Sequence, residues 1–149
     1  MNDSSLKAQI ASAFAAERPP FKEDVLYKGA YGGDPELEEI ENFFGGRLWN
    51  SITPSDVFRF RHALSFFSPS ALAYYTPAWM TCALVDDEAV DTAIEDLVGT
   101  FGETSPNLWT KEQRLAICEW LRHFYDSDLP TLKQRFDKAM NNMGCNQAE

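Results

Sequence analysis

Between Ala63 and Val85 the chain runs 23 residues without a charged side chain, and no other stretch constrains the fold as much. A run of that length either crosses a bilayer or lies inside a helical core. Ser68-Pro69-Ser70 and Pro77 divide it, and Ser65, Thr76, Thr81 and two tyrosines dilute its apolarity. A buried core helix is therefore expected, and no membrane span. Ser68-Pro69 reads as a helix start. Pro77 has no amide hydrogen for the carbonyl of Ala73, which predicts a kink near Tyr74-Tyr75. Beyond it, Ala78 to Val85 is apolar nearly all round, as a central helix would be.

Helical punctuation recurs along the rest of the chain, and strand signals are nearly absent. Leu6, Ile10, Ala13 and Phe14 repeat at helical spacing ahead of Pro19-Pro20. From Arg18 to Gly33 a long loop is expected, with a short extended piece at Val25 to Tyr27. Asp34-Pro35 and Gly45-Gly46 bracket a helix with Leu37, Ile40, Phe43 and Phe44 inward. Thr53-Pro54 starts another, whose stripe Val57, Phe60, Leu64 and Phe67 runs up to the Ser68-Pro69 corner. Ala89, Val90, Ala93, Ile94, Leu97 and Val98 give the next segment an apolar face, with Gly99 and Gly102 expected to end it. Thr110 with Gln113 has capping-box spacing before Leu115, Ile117, Trp120 and Leu121. A last helix from about Pro130 turns Leu132, Phe136, Ala139 and Met140 inward and Lys133, Arg135 and Lys138 outward. The fold class predicted is all-α, a single domain over 1–149 of about seven helices around the Pro-kinked central helix, with a frayed tail over 144–149.

Charge is the second organising feature. The net charge is −10, yet it is local. Asp34 to Arg47 carries −4 and Asp86 to Glu103 carries −7 with no Lys or Arg, leaving the remainder at +1. Direct nucleic-acid binding needs a basic stripe, which this distribution does not offer. Asp87, Glu88, Asp91 and Glu95 fall opposite the apolar face of their helix. Asp87 with Asp91, and Asp91 with Glu95, are like-charge i, i+4 pairs that oppose the helix by a few tenths of a kcal/mol each, roughly. Such a cost without internal compensation points to an external, basic partner.

No sequence pattern for a hydrolase nucleophile, zinc protease, Walker loop or dinucleotide site is present. Glu119 and His123 share a helix face, with Asp126 and Asp128 nearby, but no Glu-x-x-His pair accompanies them, so no metal and no cofactor are predicted. Arg59 and Arg61 are expected to pair with the acids of Glu36 to Glu41 or of Asp86 to Asp91. Trp49 and Trp109, at helix boundaries, are candidates for a contact patch. Cys82, Cys118 and Cys145 are an odd number without a Cys-x-x-Cys pair, which predicts reduced thiols. Met1 to Ser5 has no basic or apolar leader character. Together these predict a cytoplasmic location.

The segment Phe66-Phe67-Ser68-Pro69-Ser70-Ala71-Leu72-Ala73-Tyr74-Tyr75-Thr76-Pro77-Ala78-Trp79-Met80, with Trp49 before it and Thr110-Lys111-Glu112-Gln113 and Trp120-Leu121 after it, resembles a family of small uncharacterised bacterial proteins. The resemblance implies an all-helical fold and brings no activity. In style alone, small acidic proteins of this kind are also similar to the immunity partners of contact-delivered toxins.

The functional expectation is a bacterial protein-binding module, an immunity protein that covers the basic active-site surface of a toxin. Its binding residues would be Asp86, Asp87, Glu88, Asp91 and Glu95, with Glu36, Glu38, Glu39 and Glu41 as a second surface. The alternative is a helical enzyme or small-ligand binder whose pocket opens at the Pro77 kink beside Tyr74, Tyr75 and Trp79. A nucleic-acid mimic ranks third, because the acidity is so local. Oligomeric state is not legible in the sequence.

Overall fold

The computed structural model describes residues 2–15, 17–30, 33–85, 90–125 and 132–145, and over these the chain is all-α. Seven α-helices are formed among the described residues: α1 (Asp3–Ala13), α2 (Pro35–Phe44), α3 (Pro54–Arg59), α4 (Pro69–Cys82), α5 (Val90–Glu103), α6 (Lys111–Tyr125) and α7 (Lys133–Met143). None is long and apolar enough to cross a membrane.

Most helix starts follow from side-chain caps. Asp34 accepts from the amide of Glu36, and Ser68 from that of Ala71. Thr53 and Asp56 form a reciprocal box. Each is followed by a proline whose missing N–H costs nothing in the first turn. At α6, Thr110 and Gln113 exchange bonds of 3.0 and 3.1 Å. The buried Gln113 also donates from Nε2 to Glu17 at 3.0 Å, so the same residue fixes the end of α1 against α6.

α4 is the core helix. Tyr74 through Met80 are all buried, and the helix continues through Pro77 to Cys82 without a break. Around it α5 packs along α7, α1 along α6, and α6 along α7. Trp120 of α6 donates its indole N–H to the carbonyl of Met80 at 3.0 Å, which satisfies a polar group in an otherwise apolar interior.

Three expectations are corrected. The stripe from Val57 to Phe67 is not one helix: α3 stops at Arg59, Ala63–Ser65 forms a 3-10 turn, and Phe67 bridges to Leu26. The amide of Tyr27 donates to Phe66 O at 3.0 Å, and that of Ser68 to Val25 O at 2.8 Å. Those cross-chain bonds use backbone groups that a continuous helix would have kept, while Val57, Phe60, Leu64 and Phe67 are buried all the same. The extended piece expected at Val25 to Tyr27 is this bridge.

Gly99 and Gly102 do not end α5, which runs on to Glu103. They face α7: a side chain at Gly99 would meet Arg135 Nη2 at 2.6 Å, and one at Gly102 the stem of Lys138 at 3.5 Å. At Gly99 the neighbour is the end of the Arg135 side chain, and at Gly102 the contact would be an ordinary one.

Cys118 and Cys145 are joined in a disulfide, leaving Cys82 as the free thiol. Gly144 takes a left-handed conformation, φ 77°, and closes α7; the amide of Cys145 then returns to Met140 O at 2.8 Å. Arg122 holds Cys145 O at 2.6 Å, which seats Cys145 against α6. The tail is therefore ordered as far as Cys145, and the thiol argument for a reducing compartment falls. Cys82 is buried in the core: burial, and secondarily Asp56, push its thiol up to about 11.

Candidate functional site

The acidic residues sit on two helices for the same local reason. In α2, Leu37, Ile40 and Phe44 are buried, so Glu36, Glu38 and Glu39 are left on the outer side, with Glu41 half-buried. In α5, Ala93, Ile94, Leu97, Val98 and Phe101 are buried, and Asp91 and Glu95 are exposed. The apolar period is what exposes the carboxylates. Asp86, Asp87 and Glu88, the start of the acidic segment, lie outside the described residues.

The electrostatics of the two faces differ. Glu95 of α5 meets Arg135 of α7 at 3.3 Å, and Glu103 meets Lys138. The Lys138 ammonium, by hydrogen bond and charge, lowers the Glu103 carboxyl below the usual range. The acidic segment is thus partly compensated from within, by a helix more than thirty residues away in sequence. Pairs this exposed contribute little stability. On α2, Glu39 lies 3.8 Å from Arg59, while Glu36 and Glu38 meet no basic side chain among the described residues. Asp91 has no such partner among them either.

Arg59 does join an acid, as expected. Its guanidinium also lies over Phe60 at 4.8 Å, and Arg61 lies over Phe58 at 4.9 Å while donating to Phe58 O. His62 is exposed. Trp109 is fully buried and Trp49 half-buried, so the Trp109 part of the expected contact patch is core. Glu119 pairs with Arg122 at 2.8 Å, and His123 Nε2 is 3.0 Å from Asp3 Oδ1. The pair considered for a metal is instead engaged in separate contacts, and no group of possible ligands gathers among the described residues. Asp126 and Asp128 lie outside them.

Tyr74, Tyr75 and Trp79 are buried. Tyr75 is ringed by Tyr74, Phe44 and Phe67 at 4.8, 5.0 and 5.4 Å between centroids. Its hydroxyl donates to the carbonyls of Phe44 and of Arg47, the latter at 2.8 Å. Tyr74 Oη accepts from the amide of Trp49 at 3.1 Å. Burial raises both phenols above their ordinary pKa. The tyrosines therefore tie the segment after α2 to α4 and their hydroxyls are occupied, whereas the buried indole Nε1 of Trp79 meets no hydrogen-bond partner among the described residues. A cavity of about 240 Å³ does lie nearby, lined by Lys7, Trp49, Asn50, Ala78 and Thr81 rather than by the tyrosines.

Sequence reasoning missed a groove between the start of α4, the end of α5 and α7. One part of about 470 Å³ is polar, lined by Asp96, Glu103, Arg135 and Lys138. Another of about 510 Å³ is apolar, lined by Tyr27, Phe67, Pro69 and Leu108. Ser65, Leu72 and Thr104 line both. The sequence signal was present only in part: Asp96 falls off the outer acidic stripe, beside the apolar face. Burial, with Glu95 beside it, holds the Asp96 carboxyl above the usual carboxylate range, against the pull of His62 and Arg135.

Residues 2–131 match a family described as a family of unknown function (DUF6714), the match ending before α7. No curated protein and no solved structure matches the chain.

Proposed function

We propose, from the premise that the chain belongs to the family of unknown function DUF6714, that it is a protein-binding module whose acidic faces recognise a basic protein. The observation that supports this reading is the exposure of Glu36, Glu38 and Asp91 on regular helices with no basic side chain against them among the described residues. Exposed carboxylates with no internal partner favour a cationic surface brought by another molecule. Asp86, Asp87 and Glu88 extend the α5 face in sequence. Glu95 is a weaker candidate than its sequence position suggests, since Arg135 already occupies it.

In the specific form of this proposal the protein is a bacterial immunity protein acting in the cytoplasm. It covers the basic, substrate-binding surface of a toxin, and charge-steered association brings the two together before damage accumulates. Capture from the source bacterium tests it. The wild-type chain should retain a basic protein that a Glu36→Lys, Glu38→Lys, Asp91→Lys variant does not, and a neighbouring reading frame should encode a toxin-like domain. Equal capture by both forms would remove the acidic faces from the account.

A further inference from the structure

The polar and apolar parts of the groove form one continuous surface, because Ser65, Leu72 and Thr104 belong to both. Its charged lining is two acids, Asp96 and Glu103, and two bases, Arg135 and Lys138, but Glu95 from outside the lining takes up Arg135. Arg135 is held by Glu95 and Lys138 by Glu103, so both cations of the polar end are already engaged. Asp96 remains as the excess negative charge, half-buried, with no hydrogen-bond donor on its carboxylate among the described residues and only His62 and Arg135 near enough to draw on it. A carboxylate partly withdrawn from water and lacking a donor gains more from an incoming cation than an exposed one does. Beside it, the Tyr27, Phe67, Pro69 and Leu108 end exposes mostly apolar surface, and Tyr27 is 41% exposed.

We infer that this groove takes a short basic and apolar segment of a protein partner, with one apolar side chain between Tyr27 and Leu108 and one Lys or Arg cation on Asp96. The inference deepens the protein-binding reading and rests on it: the outer acidic faces of α2 and α5 attract the basic partner, and the groove anchors it. The division is physical. Exposed charges govern encounter, whereas a part-buried pocket that combines an apolar anchor with one ion pair governs residence.

Two peptides of opposite charge test the groove without the partner. Acetyl-Phe-Gly-Gly-Arg-amide should shift the backbone amide resonances of Ser65, Leu72 and Thr104, and acetyl-Phe-Gly-Gly-Glu-amide should not. Asp96→Asn should weaken the arginine peptide about tenfold, the loss expected for one hydrogen bond to a charged group. Tyr27→Ala, at an exposed side chain, should weaken it independently, with circular dichroism confirming that both variants fold. Absence of groove shifts, equal binding of the glutamate peptide, or unchanged binding by Asp96→Asn would each overturn the inference. Partner capture lost in the Glu36, Glu38, Asp91 variant together with no peptide binding would overturn the groove alone. Peptide binding with capture indifferent to that variant would support the groove and defeat the outer faces.

Discussion

The hydroxyl of Tyr75 donates to the carbonyl oxygen of Arg47 at 2.8 Å and lies against Phe44 O as well, so one phenol in the core helix shares its single proton between two carbonyls of the segment that leaves α2. Removing that oxygen strands the Arg47 carbonyl, while Phe44 O keeps the amide of Arg47 at 2.9 Å. Tyr75→Phe should destabilise the protein by about 1–3 kcal/mol, the cost of an unsatisfied buried polar group, in a urea titration. A loss well under that range would mean that water reaches the Arg47 carbonyl.

The disulfide between Cys118 and Cys145 closes a loop with a sequence separation of 27. In the chain-entropy account, a loop of this size contributes about 3.5 kcal/mol by restricting the unfolded chain. The denatured, unreduced protein should therefore show one reactive thiol, Cys82, and reduction should lower the melting temperature. Three reactive thiols before reduction would show that the bond does not form where the protein was made.

Two glycines distinguish rigid from yielding neighbours. At Gly45 an added Cβ would lie 2.7 Å from the backbone Cα of Lys22, whereas at Gly99 it would meet the end of the Arg135 side chain at 2.6 Å. Gly45→Ala should cost about 1–3 kcal/mol, as overpacking against fixed atoms does. Gly99→Ala should be close to neutral in thermal melts, since α5 gains up to about 1 kcal/mol of helix propensity as Arg135 swings aside. Reversal of that order would contradict the packing of α5 on α7.

Asp96 sets a pH signature. Its folded carboxyl is raised, chiefly by burial, so the folded state holds the proton more tightly than the unfolded chain does. Ionised Asp96 therefore opposes folding above its folded pKa, and this cost disappears as the pH falls below the unfolded carboxylate range. Asp96→Asn should raise the melting temperature at neutral pH and lose that advantage in acid. The gain should stay below about 1 kcal/mol, because solvent still screens this half-open group. A variant less stable than wild type at neutral pH would show that Arg135 and His62 outweigh the burial.

What the sequence made legible was local. Asp34, Thr53, Ser68 and Thr110 mark helix starts through bonds to amides two or three residues on, and spacing alone specifies those. Apolar period correctly assigned Leu37, Ile40, Phe136 and Ala139 to the interior. It could not separate one helix from two pieces between Thr53 and Ser68, because burial of Phe67 is compatible with either and the Leu26 bridge is non-local. The compensation of Glu95 by Arg135, the pairing of Cys118 with Cys145, and the groove share that origin. Each depends on how α7 and the loop before α2 return to the core, which no local pattern encodes.

The central claim is that exposed carboxylates of α2 and α5 draw in a basic partner. The most direct measurement is the association rate of the captured partner with wild-type chain and with the Glu36→Lys, Glu38→Lys, Asp91→Lys variant, at low and at physiological salt. The account predicts a wild-type rate that falls steeply with salt, and a variant rate at least about tenfold lower at low salt with a flatter dependence, as expected for electrostatic steering. Equal rates with equal salt dependence would contradict it.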